Sequence, residues 1–171
     1  MIPRPVSGIF LAAGNSYVSR ELATKLRVGL EELAIVRQQF EPLVSMSSEA
    51  NVGVIETSAA CAMLHSFYTE IEKILKLVAR DWDGDLPASD SWHRDLLVQM
   101  STATPRRPAV LSKGLVDVLN EFLAFRHLFR GASIALMRWE KLHPLVAKVD
   151  RTYECTKTEL EAFASLLDHH S

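Results

Sequence analysis

Met63-Leu64-His65-Ser66-Phe67-Tyr68-Thr69-Glu70-Ile71-Glu72-Lys73-Ile74-Leu75-Lys76-Leu77-Val78-Ala79-Arg80-Asp81-Trp82 is the stretch that decides the fold. Met63 or Leu64, then Phe67, Ile71, Ile74, Val78 and Trp82, recur at steps of three and four. A helix of 3.6 residues per turn places such residues on one buried face. The pattern predicts a helix from near Asn51 to just before Asp83-Gly84-Asp85-Leu86-Pro87, where glycine and proline stop it.

The same period extends on both sides. Leu22, Leu26, Leu30, Leu33 and Phe40 predict an earlier helix, broken near Pro42 and Ser45-Met46-Ser47-Ser48. Ser89 or Asp90 suits the cap of a short helix through Trp92, Leu96, Leu97 and Met100. A loop with Thr104, Pro105 and Pro108 follows, then a helix with Leu111, Leu115, Leu119, Phe122, Phe125 and Phe129. Gly131 should weaken or bend that helix, because glycine costs about 1 kcal/mol relative to alanine. Pro144 suits the first turn of a last helix carrying Leu145, Val149, Tyr153, Leu160, Phe163 and Leu167. No segment alternates with period two. The expected fold is all-α, an up-and-down bundle of four to five helices. The expected organisation is one domain over residues 21–171 behind an irregular or mobile N-terminal tail, residues 1–20, which holds early prolines and glycines.

Composition bounds the rest. A chain of 171 residues buries roughly 70% of its unfolded surface, enough to hold a core without disulfide or metal. A net charge of −2 excludes a generally basic nucleic-acid binder. The charge is uneven: Arg106, Arg107, Lys113, Arg126, Arg130, Arg138 and Lys141 stand against Asp117, Glu121 and Glu140, a local +4 that leaves −6 elsewhere. A basic helix on an acidic protein suits an anionic partner and equally a solvated face. Two cysteines, Cys61 in an apolar run and Cys155, suggest no disulfide scaffold, so a reducing cytoplasmic setting is expected. No apolar run reaches the ~20 residues of a membrane span, and Met1–Gly14 is too short and glycine-broken for a signal peptide.

Several apparent sites fail on their chemistry. Leu11-Ala12-Ala13-Gly14-Asn15-Ser16 resembles a phosphate loop but lacks the strand such a loop needs. Asp81, Asp83 and Asp85 flank Gly84, yet Trp92 stands where a calcium loop has its bidentate glutamate. A solvated turn is expected there. The histidines form no pair spaced for zinc, so no metal and no cofactor are expected. Arg138-Trp139-Glu140-Lys141-Leu142-His143 spans a helix boundary near Pro144. Arg126-His127-Leu128-Phe129-Arg130-Gly131-Ala132-Ser133 is more informative. Arg126 and Arg130 lie one turn apart and share a face, as do His127 and Gly131. Two planar guanidiniums and an imidazole suit phosphate recognition. The same residues also suit an exposed basic helix end.

Leu64–Glu72, Leu86-Pro87, Trp92-His93-Arg94-Asp95-Leu96-Leu97 with Met100, Phe125–Arg130 and Trp139–Leu142 together resemble HepT-like proteins of the HEPN superfamily. The resemblance spans about residues 22–167. It implies a helical bundle that forms a homodimer, with motif helices meeting at a two-fold cleft. Many members are metal-independent RNA-cutting toxins, paired with a small nucleotidyltransferase-type antitoxin that modifies a tyrosine. The family motif runs arginine, a polar residue, three more positions, histidine, and often a tyrosine two further on. Arg126 and His127 match its first two positions. The histidine position is Gly131 and the tyrosine position is Ser133.

Cleavage through a ribose 2′-hydroxyl needs a proton removed and charge stabilised on the phosphorane. Arg126, helped by Arg130, suits the second task. Glycine cannot perform the first, a loss of roughly 10²–10⁴-fold in rate. The resemblance therefore implies a toxin–antitoxin type protein with weak or lost ribonuclease activity. Two alternatives stand beside it: an active endoribonuclease using Arg126 with His127, and a non-catalytic module that binds RNA or protein.

Overall fold

A computed structural model describes residues 12–48, 50–131 and 137–169. The helices in chain order are α1 (Ala12–Gln39), α2 (Glu41–Val44), α3 (Val54–Leu77), α4 (Trp92–Ser101), α5 (Lys113–Gly131), α6 (Trp139–Val146) and α7 (Val149–His169). The protein is an all-α bundle. Among the described residues no β-strand occurs, only an isolated bridge between Thr104 and Arg107.

α3 is central. Its stripe of Leu64, Phe67, Ile71, Ile74 and Leu75, continued by Val78 just past its end, is almost wholly buried, and Phe67 meets Phe122 of α5 with ring centroids 5.4 Å apart. α1 packs between α3 and α7, and α5 packs on α3, α4 and α7. Burying a Leu or Phe stabilises by about 1.5–3 kcal/mol relative to leaving it exposed. Packing of these amphipathic faces, rather than intrinsic propensity, therefore holds the helices.

The structure corrects four expectations. First, helix already runs from Ala12, inside the tail expected over residues 1–20. Ala12-Ala13 are strong helix formers, and Ser19, Leu22 and Ala23 are buried, so packing extends α1 toward its N-terminus. Residues 1–11 lie outside the described residues. Second, the large helix starts at Val54 rather than near Asn51, with Gly53 as its cap residue and the Thr57 N–H donating to the Gly53 carbonyl at 3.0 Å.

Third, the turn after α3 is not merely solvated. α3 runs into a wider, π-wound turn over Val78–Asp83, closed by Gly84 at φ 70°, a conformation that favours glycine. The turn delivers Asp83 to the buried Arg107. Fourth, Pro144 does not open the last helix. It sits late in the short α6, and the chain turns before α7 begins at Val149. Trp139 pins α6, its indole N–H donating to the Ser47 carbonyl at 3.0 Å.

Candidate functional site

Three helices meet around Arg126. It lies on α5, in the last two turns before the helix ends at Gly131. Leu119, Phe122 and Leu123 bury the preceding turns and fix the helix against α3 and α4. The Arg126 side chain is consequently drawn inward and is only 12% exposed.

Its partners come from the neighbouring helices. Glu72 of α3 is a carboxylate within the apolar band, 3% exposed, and a buried charge must be paired. His93 of α4 is buried beside it, with Nδ1 in a very short contact to Glu72 Oε1. An ionised carboxylate only accepts, so Nδ1 carries the proton. His93 Nε2 is then an acceptor, and Arg126 donates to it from a terminal nitrogen at 3.1 Å. The other terminal nitrogen of Arg126 lies 3.9 Å from Glu72 Oε2, and Lys76 Nζ lies 3.7 Å from the same oxygen.

Burial pushes the pKa of His93 below its ordinary value, with Glu72 pulling the other way and Arg126 and His127 adding to the depression. A neutral imidazole also matches the bonding geometry, since Nε2 must keep its lone pair free for Arg126. Trp92 lies against His93, with centroids 3.5 Å apart, and Lys76 sits 4.0 Å over the Trp92 ring.

The outer part of the site is open. His127 is exposed and meets His93 edge-on at 5.6 Å. Arg130 and Leu128 are exposed on the same helix. A cleft of about 360 Å³ lies beside this edge, lined by Ser91, His93, Arg94, Asn120, Ala124 and His127. This volume lies at the small end of the range for small-molecule pockets and has room for a sugar with its phosphate.

Of the sequence-identified residues, Arg126, His127 and Arg130 thus sit on one helix end, with Arg126 turned inward and the other two outward. Gly131 is the last residue of α5, and Ser133 lies outside the described residues. Among the described residues no cluster of histidine, cysteine, aspartate and glutamate suits a metal. Glu72 and His93 were not singled out from sequence. The signal was present: an acid at position 72 falls between Ile71 and Leu75 on the buried face, where it requires a partner.

Residues 59–167 match the family model of HepT-like proteins. The protein belongs to the HepT-like family. The matched span contains α5 and every residue placed around Arg126. No curated protein and no solved structure matches the chain. Among the described residues of this HepT-like protein, no helix is long and apolar enough to cross a membrane.

Proposed function

We propose that this HepT-like protein belongs to a toxin–antitoxin type pair and binds RNA phosphodiesters at Arg126 and Arg130, with ribonuclease activity that is weak or lost. One contrast carries the reading. The motif arginine is retained and built into the bundle by Glu72 and His93, whereas the position of its proton-transfer partner is a glycine. Arg126 supports charge stabilisation on a phosphorane, and Arg130, exposed one turn on, supports capture of a neighbouring phosphate. Gly131 offers no group to move a proton.

The family reading adds a homodimer through the motif helices and a nucleotidyltransferase-type antitoxin. The exposed Leu128 between His127 and Arg130 is consistent with a covered α5 face in such a dimer. It also adds action in the cytoplasm, where RNA is the target.

The test compares wild type with Gly131→His in cleavage of single-stranded RNA. The variant should cut at least about 10²-fold faster, because it regains a general acid or base. Wild type cutting as fast as Gly131→His would overturn the proposal.

A further inference from the structure

Gly131 leaves the motif without its histidine, yet three histidines stand nearby on the bundle. His93 is engaged at both ring nitrogens, by Glu72 and Arg126, and is held as a clamp. His127 is exposed, meets the edge of His93 and lines the cleft beside it. His65 differs from both. It reaches the motif helix from α3, with its ring 5.7 Å from that of Phe129. Burial, followed by the positive charge of Arg126 and Arg130, lowers its pKa, so it stands neutral at physiological pH, with Glu72 a weaker opposing influence.

Two buried polar atoms in this seam between α3 and α5 have no hydrogen-bond partner among the described residues: Nδ1 of His65 and Nε of Arg126. Buried polar atoms are nearly always paired, so each orphan calls for an explanation. Their characters are complementary. A neutral imidazole nitrogen can accept, and the guanidinium Nε–H can only donate. The tautomer with the proton on Nε2 leaves Nδ1 as an acceptor, and a hydroxyl then both accepts from Arg126 and donates to His65, which an ionised phosphate oxygen cannot do. Phe129, whose ring meets that of His65, belongs to the last turns of α5, and terminal turns open at low cost.

We propose that His65 is the base of this site and that the hydroxyl it serves is the ribose 2′-hydroxyl of an RNA strand. The inference rests on the reading of the site as an RNA phosphodiester site. The 2′-oxygen transfers its proton to His65 Nδ1 and forms a bond to phosphorus, while the bond from phosphorus to the 5′-oxygen breaks. The leaving oxygen takes a proton from water, and His65 returns its proton to solvent. The products are a 2′,3′-cyclic phosphate and a 5′-hydroxyl, with no oxidation or reduction.

The experiment is single-turnover cleavage of a short single-stranded RNA by the full chain, with its 2′-deoxy counterpart as control and RNA binding measured in parallel. Wild type should cut slowly, leave a cyclic phosphate end and spare the 2′-deoxy strand. His65→Gln should bind RNA as wild type does and lose about 10²-fold or more of that rate. His169→Ala, at the exposed end of α7, should keep it. His65→Gln cutting at the wild-type rate overturns the inference. Wild type that binds RNA and never cuts it overturns the inference and leaves the proposed function standing, whereas absence of RNA binding removes both. Should His65→Gln lack the helical circular dichroism of wild type, the pH profile of the unaltered protein decides. A rate that falls as acid protonates a histidine supports the base, and a pH-independent rate overturns it.

Discussion

Two inward-turned arginines divide this protein, and they are treated in opposite ways. Arg107, whose side chain is 1% exposed, has every guanidinium hydrogen bonded. Its Nε and one terminal nitrogen hold Asp83 at 2.7 and 2.6 Å, and its remaining N–H groups donate to the carbonyls of Gln99, Thr102 and Pro108. Among the described residues, Arg126 has one hydrogen bond, to the neutral His93, a carboxylate 3.9 Å away and an Nε with no partner. Complete satisfaction marks a group that closes a structure. Incomplete satisfaction, beside an open cleft and at a helix end, marks a group kept available for a ligand. The fold invests in Arg107 to tie the π-wound end of α3 to the loop after α4. Arg126 is oriented by its partners without being saturated by them.

Removing each arginine in turn tests that division, and the larger effect belongs to Arg107. Arg107→Ala should take from Asp83 its buried cation, leaving it the Gln99 amide, and remove a donor from three carbonyls. Breaking such a pair costs about 3–5 kcal/mol, read as a lower urea midpoint. If RNA binding of the folded fraction falls as well, the assignment of Arg107 to structure alone is wrong. Arg126→Ala should cost less, about 1.5–3 kcal/mol, the worth of one hydrogen bond from a charged donor, because Glu72 keeps His93 and Lys76 as neighbours. The same variant should lose most RNA affinity. A stability loss as large as that of Arg107→Ala, with affinity intact, would erase the contrast between the two.

The unequal legibility of these regions has a physical cause. The apolar stripe of α3 was readable because burial repeats with the helix period, and so were the bundle and the motif arginine with its family resemblance. The pairing of Glu72 with His93 was not, because 21 residues separate them and only the packing of α4 on α3 makes them meet. Asp83 read as one acid of a solvated turn for the same reason: Arg107 is 24 residues away. Pro144 was placed in a first turn because proline lacks an N–H and suits that position. Local preference could not reveal that Trp139, tied to Ser47, starts a separate helix earlier.

Acid should act on one arginine and spare the other, which is the smallest of the expected effects and the most selective. Arg107 meets a carboxylate and three backbone carbonyls, with no histidine in the set. Around Arg126 the histidines are His93 and His65, each held below the ordinary value of 6.5, chiefly by burial. Arg126 opposes protonation of both; Glu72 favours it, most directly through its bond to His93. A histidine whose folded pKa is depressed binds fewer protons folded than unfolded. Its contribution to stability is therefore complete above pH 6.5 and declines as pH falls from there toward the depressed value. Protonated His93 would also present an N–H to Arg126 where it now offers a lone pair, so the contact itself is lost. The thermal midpoint should fall between about pH 7 and pH 5.5, and His93→Gln should flatten that slope. A slope unchanged in His93→Gln would mean that the acid sensitivity lies elsewhere and that Arg126 is held by something other than a neutral imidazole.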